Sequence, residues 1–399
     1  MDLIDATPRA AAGDDAPDAL LDSLRQGYTL PATWYTDPAL FQIERARIFR
    51  SSWQFAGYVE QLAERGDYFT TRVGDVPLVL TRDQADAIHA FVNVCRHRGS
   101  ELAQVECGHG QTLQCQYHAW TYNLDGSLRA APGAKDEPDF APEQFSLLAV
   151  PVELWGPLIF VNLARQDAPP LSSVLGELPR LATEAGAPLD RMRRLARHTY
   201  DVAANWKVVV DNYLECYHCP VAHKGFTSLI DTNTYAITEY EWCSVQAGAL
   251  KDSARDADES ASDGAVSQNG ATPERYSTRG AVQAGFYAYL WPNFTFNVYP
   301  GHGNVSINHF IPLAVDRTLV VKDYCFIPEV AAEEEDDFIR FINQVQVEDE
   351  ALCASVQRGL STGFFEQGRL MLRQERALRH FQLLVYRALA DAAPSAHQR

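Results

Sequence analysis

Two short limbs, Cys95-Arg-His97 and Cys115-Gln-Tyr-His118, each offer one thiolate and one imidazole, and seventeen residues separate them. Four such donors can meet at one point only if the chain turns back on itself and sets both limbs at neighbouring tips. The flanking sequence supplies the means. From about Phe41 to Ala164, short apolar runs such as "VPLVL", "IHAFVNV" and "GPLIFVNL" are punctuated by the turn strings "VGD", "LDGS" and "APGA". That is the pattern of a small antiparallel β domain, and the limbs fall at strand ends, where loops commonly carry functional groups.

The donor set suits tetrahedral zinc, and it equally suits two irons. In a Rieske cluster one iron takes two Cys and the other two His, and the neutral imidazoles raise the potential to roughly −150 to +300 mV, against about −400 mV for all-Cys ligation. The C-x-H limb is foreign to most zinc knuckles, so the spacing favours iron and sulfur. Cys107 and His109, between the limbs, are read as non-ligands, with His109 a second candidate if the hairpin register differs.

Composition narrows the partners. A formal charge of −18 has the wrong sign for phosphate binding and argues against nucleic acid. It weakly favours a cationic ligand. No run of eighteen apolar residues would span a membrane, and the N-terminal "MDLIDATPRAAAGDDAPDALLDSL" carries acids where a secretory signal would be basic. The expectation is a cytoplasmic protein with no membrane contact. In such a setting the eight cysteines form no disulfide framework, and Cys216 and Cys219 are expected as free, buried thiols.

A second cluster lies in "NWKVVVDNYLECYHCPVAHKGF", residues 205–226. On a helix Asp211, Glu215 and His218 stand at i, i+4 and i+7 and share a face. His223 follows Pro220, which is expected to interrupt the helix and turn the second imidazole back toward the first. A facial triad of non-haem Fe(II) needs two His and one carboxylate. The carboxylate is sought in "EEEDDFIRFINQVQVEDEALCASVQRGL", where Ile342, Val345, Leu352 and Val356 form an apolar stripe around Asp349, while Glu348 lies off it. A carboxylate on a buried stripe must be paired or ligated. Asp349 is therefore the chosen ligand, with a salt bridge to an arginine as the competing explanation.

With these residues in place, the chain resembles the catalytic (α) subunit of the Rieske non-haem iron oxygenases. The resemblance includes the flanking "RHRGS" and "YHAWTYNLDGSL", the Asn205 to Lys207 start, Asp211 with Asn212, Glu215, His218 and His223. The first forty residues read as an exposed arm ending in a short helix, and from Leu181 onward helical periodicities mix with strands as in an α+β domain. With the resemblance, this implies an α+β protein with that arm over 1–40, a Rieske [2Fe-2S] domain over 41–165, and a mononuclear iron domain over 166–399 built on an antiparallel sheet flanked by helices. Cys95, His97, Cys115 and His118 would hold the cluster, and His218, His223 and Asp349 the iron, with O2 as cosubstrate. Glu215 would join His118 of a neighbouring chain to His218 as an electron path, which requires an oligomer, most simply a homotrimer. Asp211 and Asn212 complete the expected catalytic set.

Most ring-hydroxylating members carry Asp at the bridging position. Glu215 is similar instead to members that oxidise quaternary ammonium compounds, the carnitine and choline monooxygenases and the stachydrine and glycine betaine demethylases. The expected reaction is hydroxylation of a substrate C–H bond, with N-demethylation when that carbon is an N-methyl. Hydroxylation of an aromatic ring, a bare Rieske electron carrier and a zinc-stabilised interaction protein are the alternatives. No Gly-rich dinucleotide fingerprint is present, so NAD(P)H electrons must arrive through a separate flavin and iron-sulfur reductase, with or without a ferredoxin. Three further expectations concern the second domain. "GFYAYLWPNFTFNVYPG" (285–301) reads as one aromatic strand-like stretch, part of which lines the substrate pocket. Residues 251–280 read as a mobile loop, and "LRHFQLLVYRALADA" as an amphipathic helix packed on this domain or on a neighbour.

Overall fold

The apolar runs of the first domain become strands, and the turn strings become its hairpins. The computed structural model describes residues 19–260 and 276–390. Gln54–Tyr58, Leu158–Val161 and Val152–Trp155 form one antiparallel sheet. Asp67–Val73, Val76–Arg82 and Ile88–Val92 form the centre of a second, edged by Cys107–His109 and Ala149–Val150. Thr112–Gln114, Thr121–Asn123 and Leu128–Ala130 make a third, small sheet. In "LDGS", Gly126 adopts φ of 83°, and a Cβ there would come within 2.4 Å of the Phe91 ring. Only glycine fits this turn.

Among the described residues, seven strands build the sheet of the second domain. Their order is Arg193–Val202, Arg317–Phe326, Asn304–Ala314, Phe294–Val298, Ala284–Leu290, Cys243–Ala249 and Ala236–Glu239, antiparallel throughout. The two faces of this sheet differ in chemistry. One carries Phe286, Leu290, Phe294, Phe296, Val305 and Ile307, which pack on Trp53, Phe55, Trp155 and Phe160 of the first domain. On the other face, register aligns Lys322, Asn308, Thr295, Tyr289 and Ser244 in one cross-strand row. Tyr324, Ser306, Asn297, Tyr287 and Gln246 form the next row on the same face.

Helices cover the polar face. Asn205 caps the helix Trp206–Tyr213, its side chain accepting from Lys207 N at 3.0 Å. Trp206, Val208 and Val210 are buried, and the Lys207 ammonium pairs with Glu44, which also accepts from Trp206 Nε1 at 2.8 Å. The long helix Ala332–Leu360 crosses beside it. Arg376–Leu389 is the expected amphipathic helix, and it packs within this domain: Phe381 sits edge-on to Trp206 at 5.5 Å.

Two expectations need correction. The described part of the arm is not exposed, because Leu24, Leu30, Trp34 and Tyr35 join the core around Trp206 and Phe381. Apolar side chains in a polar, Pro-rich setting still seek burial when a core is within reach. Within 251–280, Asp252–Ser260 is helical, and Tyr276 packs on Phe338 and Phe341 at 5.1 and 5.2 Å. Residues 261–275, half of the expected loop, lie outside the described residues. No helix of the described chain is long and apolar enough to cross a membrane.

Candidate active site

The Cys/His limbs fold into matched turns. Cys95 N–H donates to the Ser100 carbonyl at 2.8 Å and Gly99 N–H to the Cys95 carbonyl at 3.1 Å. The same pair recurs at the other limb, Cys115 N–H to the Trp120 carbonyl at 2.8 Å and Ala119 N–H to the Cys115 carbonyl at 3.0 Å. Gly99 and Ala119 both take the left-handed conformation, at φ of 74° and 57°. The cysteines are buried, whereas the imidazoles of His97 and His118 stand at the surface with centroids 4.6 Å apart. His97 stacks on Trp120 at 4.9 Å.

Burial, His97 and Arg98 all push the His118 imidazole below its ordinary pKa, toward the neutral form a metal needs. Burial pushes the Cys115 thiol up, but hydrogen bonds from backbone N–H groups of Tyr117 and His118, from Cys95 and from Ser100 outweigh it and leave the thiol lowered. Two buried sulfurs below two surface imidazoles fit the asymmetry of a Rieske cluster. Cys107 and His109 stay apart on an edge strand, where His109 Nδ1 meets Asp67 at 2.9 Å.

At the second cluster the helix ends sooner than its periodicity suggests. Trp206–Tyr213 stops at the C-cap Leu214, so Glu215 and His218 lie in a turn and not on the Asp211 helix face. Pro220 does not break a helix; it opens the short one, Cys219–Ala222, in whose first turn its missing N–H costs nothing. His223 is the C-cap of that helix. The turn nonetheless unites the expected donors. His218 Nε2 lies 3.1 Å from His223 Nε2, and Asp349 Oδ1 lies 2.9 Å from His223 Nε2 and 3.5 Å from His218 Nε2. These three ligand atoms fall within 4.8 Å of one another and could hold one ion.

The outer nitrogens are anchored by carboxylates. Glu215 Oε1 receives His218 Nδ1, and its Oε2 receives the backbone N–H of Tyr217 and, at 3.2 Å, of His218. Glu348 Oε2 receives His223 Nδ1 at 2.8 Å, while Gln344 Nε2 holds the other oxygen at 3.0 Å. Carboxylates behind both histidines fix the tautomer with Nε2 free for a metal. Sequence reasoning set Glu348 aside because it lies off the apolar stripe; its adjacency to Asp349 was the available signal. No arginine pairs with Asp349 among the described residues. Its partners are the two histidines, which outweigh burial and hold its carboxyl down at about 2. Burial pushes His218 down, but Asp349 and Glu215 outweigh it and raise the imidazole to about 9.

A cavity of about 110 Å³ opens beside these donors. Tyr213, Phe226, Tyr235, Tyr287 and Tyr299 line it. Tyr235 and Tyr287 stack at 6.4 Å, and Tyr299 meets Tyr287 edge-on at 5.1 Å. Burial raises all four phenols, so the rings face the cavity neutral. The 285–301 stretch is not one strand: a turn at residues 291–293 divides it into a hairpin. Of its aromatics only Tyr287 and Tyr299 line the cavity: Phe286, Phe294 and Phe296 face the apolar side, and Tyr289 and Trp291 pack on Phe381. Cys216 and Cys219, expected as free thiols, form a disulfide on the cavity wall, because the turn around His218 brings their Cα atoms to 4.9 Å.

A second, outer cavity of about 420 Å³ adjoins the first, bordered by the exposed Leu352, Val356 and Phe365. Asn212, Glu215 and His218 border both, so the Glu215–His218 pair forms part of the wall between them. Asp211 faces only this outer cavity, where Tyr35 Oη and Gln382 Nε2 donate to it at 2.7 and 3.1 Å. Burial raises its carboxyl to about 7, against the pull of these donors and Lys207. Leu352 and Val356, the C-terminal half of the expected apolar stripe, border the same space and are exposed, Val356 by 51%.

Comparison with known proteins agrees with this geometry. Residues 52–148 match the Rieske [2Fe-2S] domain, and residues 189–391 the ring hydroxylating alpha subunit (catalytic domain). The chain is 33% identical over 370 residues to choline monooxygenase, chloroplastic, of Beta vulgaris, covering 90% of this chain and 77% of that one. It is 33% identical over 368 residues to the carnitine monooxygenase oxygenase subunit of Acinetobacter pittii, with 90% and 94% covered. A solved quaternary ammonium Rieske monooxygenase superposes with a TM-score of 0.80 at 29% identity, over 94% of this chain and all of the other. Naphthalene 1,2-dioxygenase from Rhodococcus sp. shares the fold, with a TM-score of 0.74 at 18% identity over 94% and 99% of the two chains. With matched Cys/His turns in one domain and a two-histidine, one-carboxylate cluster in the other, the chain belongs to the Rieske non-haem iron oxygenases, as a catalytic α subunit that works with a Rieske cluster, a mononuclear iron and O2.

Proposed function

We propose that this oxygenase oxidises a quaternary ammonium compound of the betaine, carnitine or choline type, by N-demethylation or by hydroxylation. The carrying observation is the wall of neutral tyrosine rings beside His218, His223 and Asp349. A cation over such a ring face gains about 0.5–2 kcal/mol, most when desolvated. The relatives named for choline and carnitine oxidation, at 33% identity, support the same substrate chemistry.

In this reading Cys95, His97, Cys115 and His118 hold the cluster, and His218, His223 and Asp349 the iron. When bound, the two groups activate O2 reductively, so that one oxygen atom enters the substrate C–H bond and the other leaves as water. Glu215 and Glu348 keep protons on Nδ1 of His218 and His223 and aim the opposite nitrogens at the metal. The tyrosines seat the ammonium head and exclude water. Asp211 acts from the outer cavity, behind the ligands, and Asn212 from the wall between. The Glu215–His218 pair would receive the electron from His118 of a neighbouring subunit docked at the outer cavity, within a closed ring of three. A separate flavin and iron-sulfur reductase supplies the electrons.

The test is product analysis with anaerobically reconstituted protein, reductase and NADH on a panel of betaines, carnitine, choline and aromatic acids. Formaldehyde, trimethylamine with an aldehyde, or from choline its betaine aldehyde, should appear in step with O2 uptake for a quaternary ammonium substrate. Turnover confined to aromatic acids would sink the proposal.

A further inference from the structure

The chain buries two lysines in the second domain, and they are treated differently. Lys207 is fully buried, and its ammonium is paired with Glu44 and lies 5.5 and 5.3 Å from the Tyr35 and Trp206 rings. Lys322 is 5% exposed and lines the cavity beside His218, His223 and Asp349. Among the described residues no hydrogen bond or ion pair engages its ammonium, although Asp349 and Glu350 act on it through space. Leaving a buried ammonium without a contact partner is costly unless something else arrives to satisfy it.

The surroundings of Lys322 are equally open. Asn308 stands directly opposite it in the sheet register and lines the same wall. Oδ1 of Asn308, Oε1 of Gln246 and the Tyr287 hydroxyl are buried without a partner among the described residues, and all three residues border the cavity. A side-chain amide can turn its NH2 toward an anion. Polar wall and tyrosine wall thus enclose one space, and Glu350, also on its lining, adds a carboxylate. Choline, a cation with a hydroxyl, would leave the ammonium of Lys322 unanswered.

We propose that Lys322, with Asn308 beside it, is the binding site for a substrate carboxylate, so that the enzyme takes zwitterionic betaines in preference to choline-type cations. The proposal rests on the quaternary ammonium reading and narrows it. The carboxylate lies on the sheet wall at Lys322, and the trimethylammonium group lies against the tyrosines. A single buried charge-assisted pair of this kind shifts affinity by about tenfold to a hundredfold. The rival role for Lys322 is a structural counter-charge to Asp349 and Glu350, blind to the substrate.

The experiment compares γ-butyrobetaine with its uncharged carboxamide, and glycine betaine with choline, using reconstituted enzyme and reductase. Wild type, Lys322→Gln and Lys322→Arg are assayed for kcat/KM, and anaerobic calorimetry gives Kd for γ-butyrobetaine. Wild type should favour acid over amide by about tenfold or more. In Lys322→Gln that ratio should collapse toward one, through KM and Kd more than kcat, and Lys322→Arg should restore most of it. A ratio that survives in Lys322→Gln while both substrates decline together overturns the proposal in favour of the counter-charge. Choline turned over as fast as betaine by wild type also overturns it, yet leaves the quaternary ammonium reading intact. Turnover of aromatic acids alone removes both.

Discussion

His218 and His223 each lean on a carboxylate, but only one of those carboxylates stands out in the sequence. Glu215 precedes its histidine by three residues, whereas Glu348 reaches His223 across 125 positions. Losing the support of a ligating histidine typically weakens metal binding by about 10–100-fold. Glu348→Ala should therefore lower iron affinity by that order in a metal titration while the cluster absorbance persists; unchanged affinity would remove Glu348 from the site. Asp211 offers a pH test. Its folded carboxyl sits at about 7 against an ordinary 3.8, so its contribution to stability is complete below about pH 4 and is lost as pH rises through about 7. Asp211→Asn should raise the unfolding temperature by a few degrees at pH 8 and hardly at pH 4, and calorimetry at the two pH values checks this.

At the level of elements, the helix Trp206–Tyr213 shows how far local pattern carries. Asn205 caps it as its residue type suggests. Lys207, which looks like an ordinary surface residue in the string, is buried against Glu44 from the N-terminal region. Lys207→Met leaves Glu44 buried and uncompensated and should cost about 3–5 kcal/mol. Denaturant unfolding would show it, and adding Glu44→Gln should recover part of the loss. A flat result for Lys207→Met would mean that the pair is incidental to stability. The same region shows where pattern misleads. Helical period placed Asp211, Glu215 and His218 on one face, but the helix ends at Tyr213 and a turn makes the Glu215–His218 contact. On Ala332–Leu360 the apolar stripe pointed to Asp349, which lies beside both histidines, although Leu352 and Val356 line an open cavity and are not core.

The two cavities define the working unit of the whole molecule. They meet at Glu215 and His218, one lined by tyrosines beside Asp349 and the other by the exposed Leu352, Val356 and Phe365. If the outer cavity receives a neighbour's cluster, His97→Ala chains and Asp349→Ala chains should each be inactive alone and active together. In a ring of three with random assembly, about a quarter of the sites pair an intact iron with an intact neighbouring cluster. Co-expressed variants should show activity of that order; none at all would mean that electrons stay within one chain. Spacing along the sequence was enough to point to the donor pairs Cys95-x-His97, Cys115-x-x-His118 and His218-x4-His223, since each pair is held by one or two local turns. Tertiary structure alone decided what surrounds them. Tyr235, Gln246, Tyr287, Asn308 and Lys322 come from five different segments, and their meeting depends on strand register and on which face of the sheet is buried against the first domain. A shift of one residue in register would turn Gln246, Tyr287, Asn308 and Lys322 to the opposite face, and no local signal records it.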